Sequence, residues 1–205
     1  QEDMDYKNFI LRFVFSFFLI IFYIFLQTNL NLLLIFGLII YSIIIYEVIK
    51  NFIEFKIYIL IYLLLSFICF YIYLFYFYEF IIFNILICII ILFDTLSFIF
   101  GKYFGKNFPF KNISPNKTFE GYLGGIIASN IIVFIFFIKF NYIVNQLDYF
   151  IFLNFILFFS AIGDLAQSYF KRINNLKDSS NFLPGHGGFF DRFDSFISSI
   201  IFLTA

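Results

Sequence analysis

The chain has 205 residues, 63% of them hydrophobic and 13% charged, with a mean hydropathy of +0.99. Soluble domains are about half apolar and about a quarter charged, so a water-soluble fold does not fit. The 13 Lys and Arg balance the 13 Asp and Glu, and a net charge of zero says little about partners.

Apolar runs follow one another at about residues 9–26, 30–46, 57–78, 80–100, 122–140 and 149–167, with a shorter one at 196–203. A helix needs roughly 20 apolar residues to cross a bilayer, and most of these runs approach that length. The expected fold is all-α: a polytopic transmembrane helix bundle of about seven membrane segments. Residues 1–90 are expected to supply N-terminal transmembrane helices and 91–205 a C-terminal catalytic region, within one continuous membrane domain. The only methionine is Met4, so Gln1, Glu2 and Asp3 read as upstream or appended residues. No small-residue cleavage site follows the first run, which is expected to be retained. Cys69 and Cys88 lie inside apolar runs and read as buried small hydrophobes. The wealth of Phe, Ile, Tyr, Asn and Lys matches an AT-rich coding background, so aromatic stripes read as packing or lipid-facing filler.

If the chain starts inside and alternates, Lys7 and Arg12, Lys50 and Lys56, Lys102 to Lys117, and Lys171 to Arg192 all fall on one side. Only Lys139 lies near the other. Positive loops face the cytoplasm, so that side is expected to be cytoplasmic. The two long polar segments, 101–121 and 168–195, then share a face, where chemistry is expected.

Every proline, the only histidine and every glycine except Gly37 lie after residue 100. Asp164, Ser168, Lys171 and Arg172 return to one broad helix face at offsets of four, seven and eight. An acid within an apolar run is expensive, so Asp164 reads as functional. Carboxylate oxygens suit Mg²⁺, which shares its coordination with water and phosphate; Asp164 with Asp191 and Asp194 have that chemistry. Between them runs Pro184-Gly185-His186-Gly187-Gly188, whose glycines permit a nest of amides facing phosphate. A membrane-surface turn with snorkelling Lys171 and Arg172 and a structural His186 is the alternative. Ser114-Pro115-Asn116-Lys117-Thr118-Phe119-Glu120-Gly121 reads equally as a phosphate-binding helix entrance or as an ordinary helix cap. Asp94, followed by Thr95, Gly101-Lys102 and Gly105-Lys106, is a further buried-acid candidate.

The run Ser168-x-x-Lys171-Arg172-x4-Lys177-Asp178-x5-Pro184-x-His186-Gly187-Gly188-x-x-Asp191-Arg192-x-Asp194 resembles the signature of the phosphatidate cytidylyltransferase (CDP-diacylglycerol synthase) family. The 114–121 stretch, Asp94-Thr95 and, weakly, Glu47 are similar to that family as well. The resemblance implies Mg-dependent transfer of a cytidylyl group from CTP to phosphatidate, giving CDP-diacylglycerol and pyrophosphate, at the inner (plasma) membrane of a bacterium. It implies catalytic Asp164, Asp191, Lys171, Arg172 and His186, and metal ligands Asp164, Asp191 and Asp194. Substrate phosphate would meet Ser114, Lys117, Thr118, Ser168, Lys177, Arg192 and Asp94. The implied cofactor is Mg²⁺, with a second monovalent or divalent cation left open. The implied partners are CTP, phosphatidic acid and membrane lipids, with a homodimer left open and no nucleic acid. The alternatives are a CTP-dependent polyprenol or phytol kinase and a non-enzymatic transporter.

Overall fold

A computed structural model describes residues 21–27, 29–139, 146–183 and 187–204. Its helices are α1 (Leu30–Asn51), α2 (Lys56–Ile72, prolonged by a π-turn at Tyr73–Phe77), α3 (Phe80–Phe104), α4 (Phe119–Lys139), α5 (Gln146–Ile173) and α6 (Phe190–Thr204). Residues 21–26 end an earlier helix, the only described part of the first apolar run. No strand occurs among the described residues, and the all-α expectation holds. Among the described residues five stretches, Leu30–Asn51, Lys56–Phe77, Phe80–Phe104, Phe119–Phe137 and Phe150–Ile173, are long and apolar enough to cross a membrane. The short run at 196–203 is part of α6, which starts earlier and has 15 residues. At 1.5 Å per residue that is about 22 Å, less than a hydrocarbon core.

The breaks between helices follow from local chemistry. Asn29 caps α1 by accepting the Asn31 N–H at 2.9 Å. Phe55 adopts a left-handed φ of 57° and turns the chain into α2. Thr118 Oγ1 accepts the Gly121 N–H at 3.1 Å and caps α4. Helices α3 and α4 pack most closely because their facing positions are small. A Cβ on Gly121 would lie 2.7 Å from the Ser97 carbonyl oxygen and 3.0 Å from Gly101 Cα, so glycine is what lets these backbones meet.

Two apolar cores result. One joins α1, α2 and α6 through Ile44, Leu63, Phe190 and Ile197; the other joins α3, α4 and α5 through Leu86, Phe93, Val133 and Ile156. Phe196 of α6 packs against both. Buried hydroxyls also join the helices: Ser66 Oγ of α2 donates to the Ile197 carbonyl of α6 at 2.8 Å, and Ser198 Oγ of α6 to the Phe159 carbonyl of α5 at 2.7 Å. Outward positions such as Ile35, Ile61, Leu64, Ile131 and Phe155 stay apolar and exposed, as a lipid-facing surface requires.

The polar segments meet at one end of the bundle. Arg172 Nε donates to the Ile113 carbonyl at 3.0 Å. Asn174 Oδ1 accepts the Ile53 and Glu54 amides at 2.7 and 2.8 Å, and Asn51 donates to the Ser179 carbonyl at 2.7 Å. The shared face expected for 101–121 and 168–195 is therefore present, and the α1–α2 link joins it.

Candidate active site

Helix α5 carries Asp164, Gln167 and Lys171 at successive turns toward that end, and α6 returns with Asp191 and Asp194 in its first two turns. Asp164 forms an ion pair with Lys117, which precedes α4. Lys171 Nζ donates to Asp191 Oδ1 at 2.7 Å. The Lys117 ammonium also interacts with Asp94 of α3, Asp194 and Lys171, and Asp194 with Asp94 and Lys171. Two ion pairs, Lys117 with Asp164 and Lys171 with Asp191, thus lie within electrostatic reach of Asp94 and Asp194 where α3, α5, α6 and the start of α4 converge.

Burial drives the Lys117 ammonium below its ordinary pKa even though Asp194 and Asp94 pull the other way. Burial raises the Asp194 carboxyl above the usual carboxylate range, and Asp94 adds to this. Asp191 behaves oppositely. Its burial would raise it, but the Lys171 ammonium and the Gly188 and Ser179 amides outweigh that and hold it below the ordinary value.

Asp191 is in fact a hub. Besides Lys171 it accepts Gln167 Nε2 at 2.5 Å, the Ser179 N–H at 2.8 Å, Ser179 Oγ at 3.0 Å and the Gly188 N–H at 3.0 Å. Glu47 of α1, with no exposed surface, is a second hub. It accepts Ser180 Oγ at 2.7 Å, Ser179 Oγ at 3.2 Å, and the Phe189 and Phe190 amides at 2.9 and 3.0 Å. The glycine-rich stretch therefore differs from a nest open to phosphate. The amides of residues 188–190 already face two carboxylates, which compete for the same donors. Gly187 has a φ of 80°, and a Cβ on Gly188 would lie 2.7 Å from Glu47 Oε2, so both positions need glycine.

The other expected site residues lie around this cluster. Thr118 caps α4, and Ser114 and Ser168 are buried. Arg172 turns to the carbonyls of Ile113 and Leu176. Lys177 and Lys50 line a separate open cavity of about 570 Å³ above residues 176–182. Arg192 lies on the other side of α6. His186, with Pro184 and Gly185, falls outside the described residues. Sequence reasoning passed over Gln167, Ser179 and Ser180 and gave Glu47 little weight. Its one signal was an acid at the inner end of an apolar run.

Among the described residues, no three acidic, His or Cys side chains already stand together as a metal site. The chemistry of the donors nonetheless suits Mg²⁺. Asp164, Asp191 and Asp194 offer hard carboxylate oxygens at one partly buried end of the bundle, beside the Lys117 and Lys171 ammonium groups. Gln167 Oε1 and Tyr122 Oη also lack a hydrogen-bond partner among the described residues.

The sequence profile of the Cytidylyltransferase family matches residues 1–205. The chain belongs to that family. Its relatives include the phosphatidate cytidylyltransferases of Staphylococcus haemolyticus, 47% identical over 112 residues, of Staphylococcus aureus, 44% over 114, and of Bacillus subtilis, 39% over 117. These matches cover 53%, 53% and 57% of this chain and 42%, 42% and 44% of the relatives. The match thus spans less than half the length of these relatives.

Proposed function

We propose that this protein transfers the cytidylyl group of CTP to phosphatidate, releasing pyrophosphate, on the cytoplasmic face of a bacterial inner membrane. The observation that supports it best is the cluster of Asp94, Asp164, Asp191 and Asp194 with Lys117 and Lys171 at the basic end of an apolar helix bundle, in a member of the Cytidylyltransferase family. A lipid substrate reaches that end from the bilayer and a nucleotide from water.

In the reaction a phosphate oxygen of phosphatidate attacks the α-phosphorus of CTP. One P–O bond forms, the bond to the β-phosphate bridge breaks, and its electron pair leaves with pyrophosphate. The nucleophile is already anionic, so no strong base is needed. The protein must hold two mutually repelling anions in line and offset the charge that develops. Lys117 and Lys171 serve the first need once substrate phosphates draw them from Asp164 and Asp191. Arg172 adds charge at the rim, and Lys177 in its open cavity suits the outer phosphates of the nucleotide. His186 is assigned to orient or protonate the leaving group. Asp164 and Asp191, with Asp194 as a third, are the residues that would hold Mg²⁺. Bound there, the ion supplies charge neutralisation of the phosphates.

CTP labelled at either its α- or its γ-phosphorus separates this reading from a CTP-dependent lipid kinase. The α label should enter the lipid and the γ label should leave as pyrophosphate. Lipid labelled from the γ position would establish the kinase instead.

A further inference from the structure

The last turn of α3 and the link that follows it to α4 lie at the basic end of the bundle, with a backbone that is tied down. Glu120 of α4 accepts the Lys106 N–H at 3.1 Å and the Asn107 side-chain amide at 2.7 Å. The Phe119 N–H donates to the Asn107 carbonyl at 2.9 Å, and the Phe110 carbonyl accepts the Ile113 and Ser114 amides at 2.9 and 2.8 Å. A Cβ on Gly105 would lie 2.5 Å from Thr118 Cγ2, so the link is seated directly on the α4 cap. Yet Tyr103, Phe104, Phe108 and Phe110 are all exposed. Lys102, Lys106 and Lys111, exposed as well, alternate with them with no acid between. A loose loop could fold its rings inward; this one holds them out.

We propose that residues 102–111 form an interfacial anchor that seats on a bilayer surface of anionic phospholipid, with the rings among the headgroups and the ammonium groups on their phosphates. Single exposed aromatics need no explanation, but four between residues 103 and 110, held outward beside a membrane-length helix, do. Helix α3 has 25 residues, about 37 Å at 1.5 Å per residue against a hydrocarbon core of about 30 Å, so its basic end reaches the headgroup level. Rings with lysines between them are the composition that settles in that layer. The lysines decide which lipid, because three cations with no acid among residues 102–111 favour an anionic surface over a zwitterionic one. At the tip Pro109 has no N–H and the Phe110 carbonyl is filled by its own turn, so fewer backbone groups call for water. Such seating needs only membrane insertion and is independent of the reaction proposed above.

The chain contains no tryptophan, so Phe110→Trp places a single fluorophore in the link, and Phe108→Trp is a second, independent reporter. The full chain is reconstituted in nanodiscs of phosphatidylcholine and phosphatidylglycerol, one or the other brominated on its acyl chains. Brominated lipid should quench the emission more than acrylamide does from water, and shallow bromine more than bromine near the chain end. At equal mole fraction, brominated phosphatidylglycerol should quench at least about twofold better than brominated phosphatidylcholine. Adding Lys102→Gln, Lys106→Gln and Lys111→Gln should bring that ratio to about one while quenching by phosphatidylcholine persists, a pattern that an unfolded link would not give. Emission quenched by acrylamide and by neither lipid would overturn the anchor. So would equal quenching by the two lipids with the lysines intact, or an unchanged ratio after their removal. A ring shielded from every quencher, as a docked protein or a second copy would shield it, would overturn it too.

Discussion

The Glu47 carboxylate, near the end of α1, accepts the backbone N–H of Phe190 at 3.0 Å, across 143 positions of sequence. Phe190 opens α6, so an acid from a helix long and apolar enough to cross a membrane fills the anion site at the N-terminus of the shorter α6. With Ser179, Ser180 and Phe189 as further donors, Glu47 ties residues 179–180 to the start of α6, which delivers Asp191 to the cluster. Glu47→Ala leaves these buried donors without an acceptor and should cost about 2–4 kcal/mol. Glu47→Gln, which keeps one acceptor oxygen, should cost less. Thermal unfolding in detergent checks both, and wild-type melting of Glu47→Ala would contradict the clamp.

Lys117 and Thr118 are adjacent but do different work. Lys117 pairs with Asp164 and feels Asp94 and Asp194, whereas Thr118 caps α4. Lys117→Ala should raise KM for CTP or phosphatidate about tenfold or more. Thr118→Ala should instead cost about 1 kcal/mol of stability with unchanged kinetics in the folded fraction. Steady-state kinetics beside melting curves separate the two.

Asp164→Asn keeps the side-chain shape and removes the charge that Lys117 opposes. Turnover should fall at least about a hundredfold while membrane insertion persists. Near-normal turnover with unaltered Mg²⁺ dependence would remove Asp164 from the site.

Asp191 is held below its ordinary pKa. Its contribution to stability is therefore complete above the unfolded value of about 3.9 and is lost as pH falls through the folded value. Melting measured without divalent metal from pH 6 down to pH 3 should show this loss, and Asp191→Asn should flatten the slope. An unchanged slope in that variant would contradict the hub.

How much of this was legible in the sequence follows from the kind of signal each feature leaves. Long apolar runs marked the five described helices that are long and apolar enough to span, because lipid forbids unsatisfied backbone and leaves few choices. Charge placement foretold that the polar segments would meet at one end. Asp164 stood out as an acid within an apolar run, and Lys117 through its place before a helix. The partners that hold them did not stand out. Gln167, Ser179 and Ser180 are ordinary polar residues whose value lies in contacts such as that of Ser179 with Glu47, 132 positions away. The glycine stretch signalled amides facing an anion without telling whether the anion was phosphate or a carboxylate of the chain itself. The two faces of α6 were equally hidden, since Asp191 and Arg192 are neighbours in sequence and diverge only once the helix packs.

The most direct measurement is made on purified protein with CTP and phosphatidate, with and without Mg²⁺, following CDP-diacylglycerol by mass spectrometry and pyrophosphate in parallel. Mg²⁺-dependent formation of both in equal amounts, lost in Asp164→Asn, is the predicted result. Lipid and CTP remaining unchanged with a folded protein, or nucleotide hydrolysis without CDP-diacylglycerol, would contradict it.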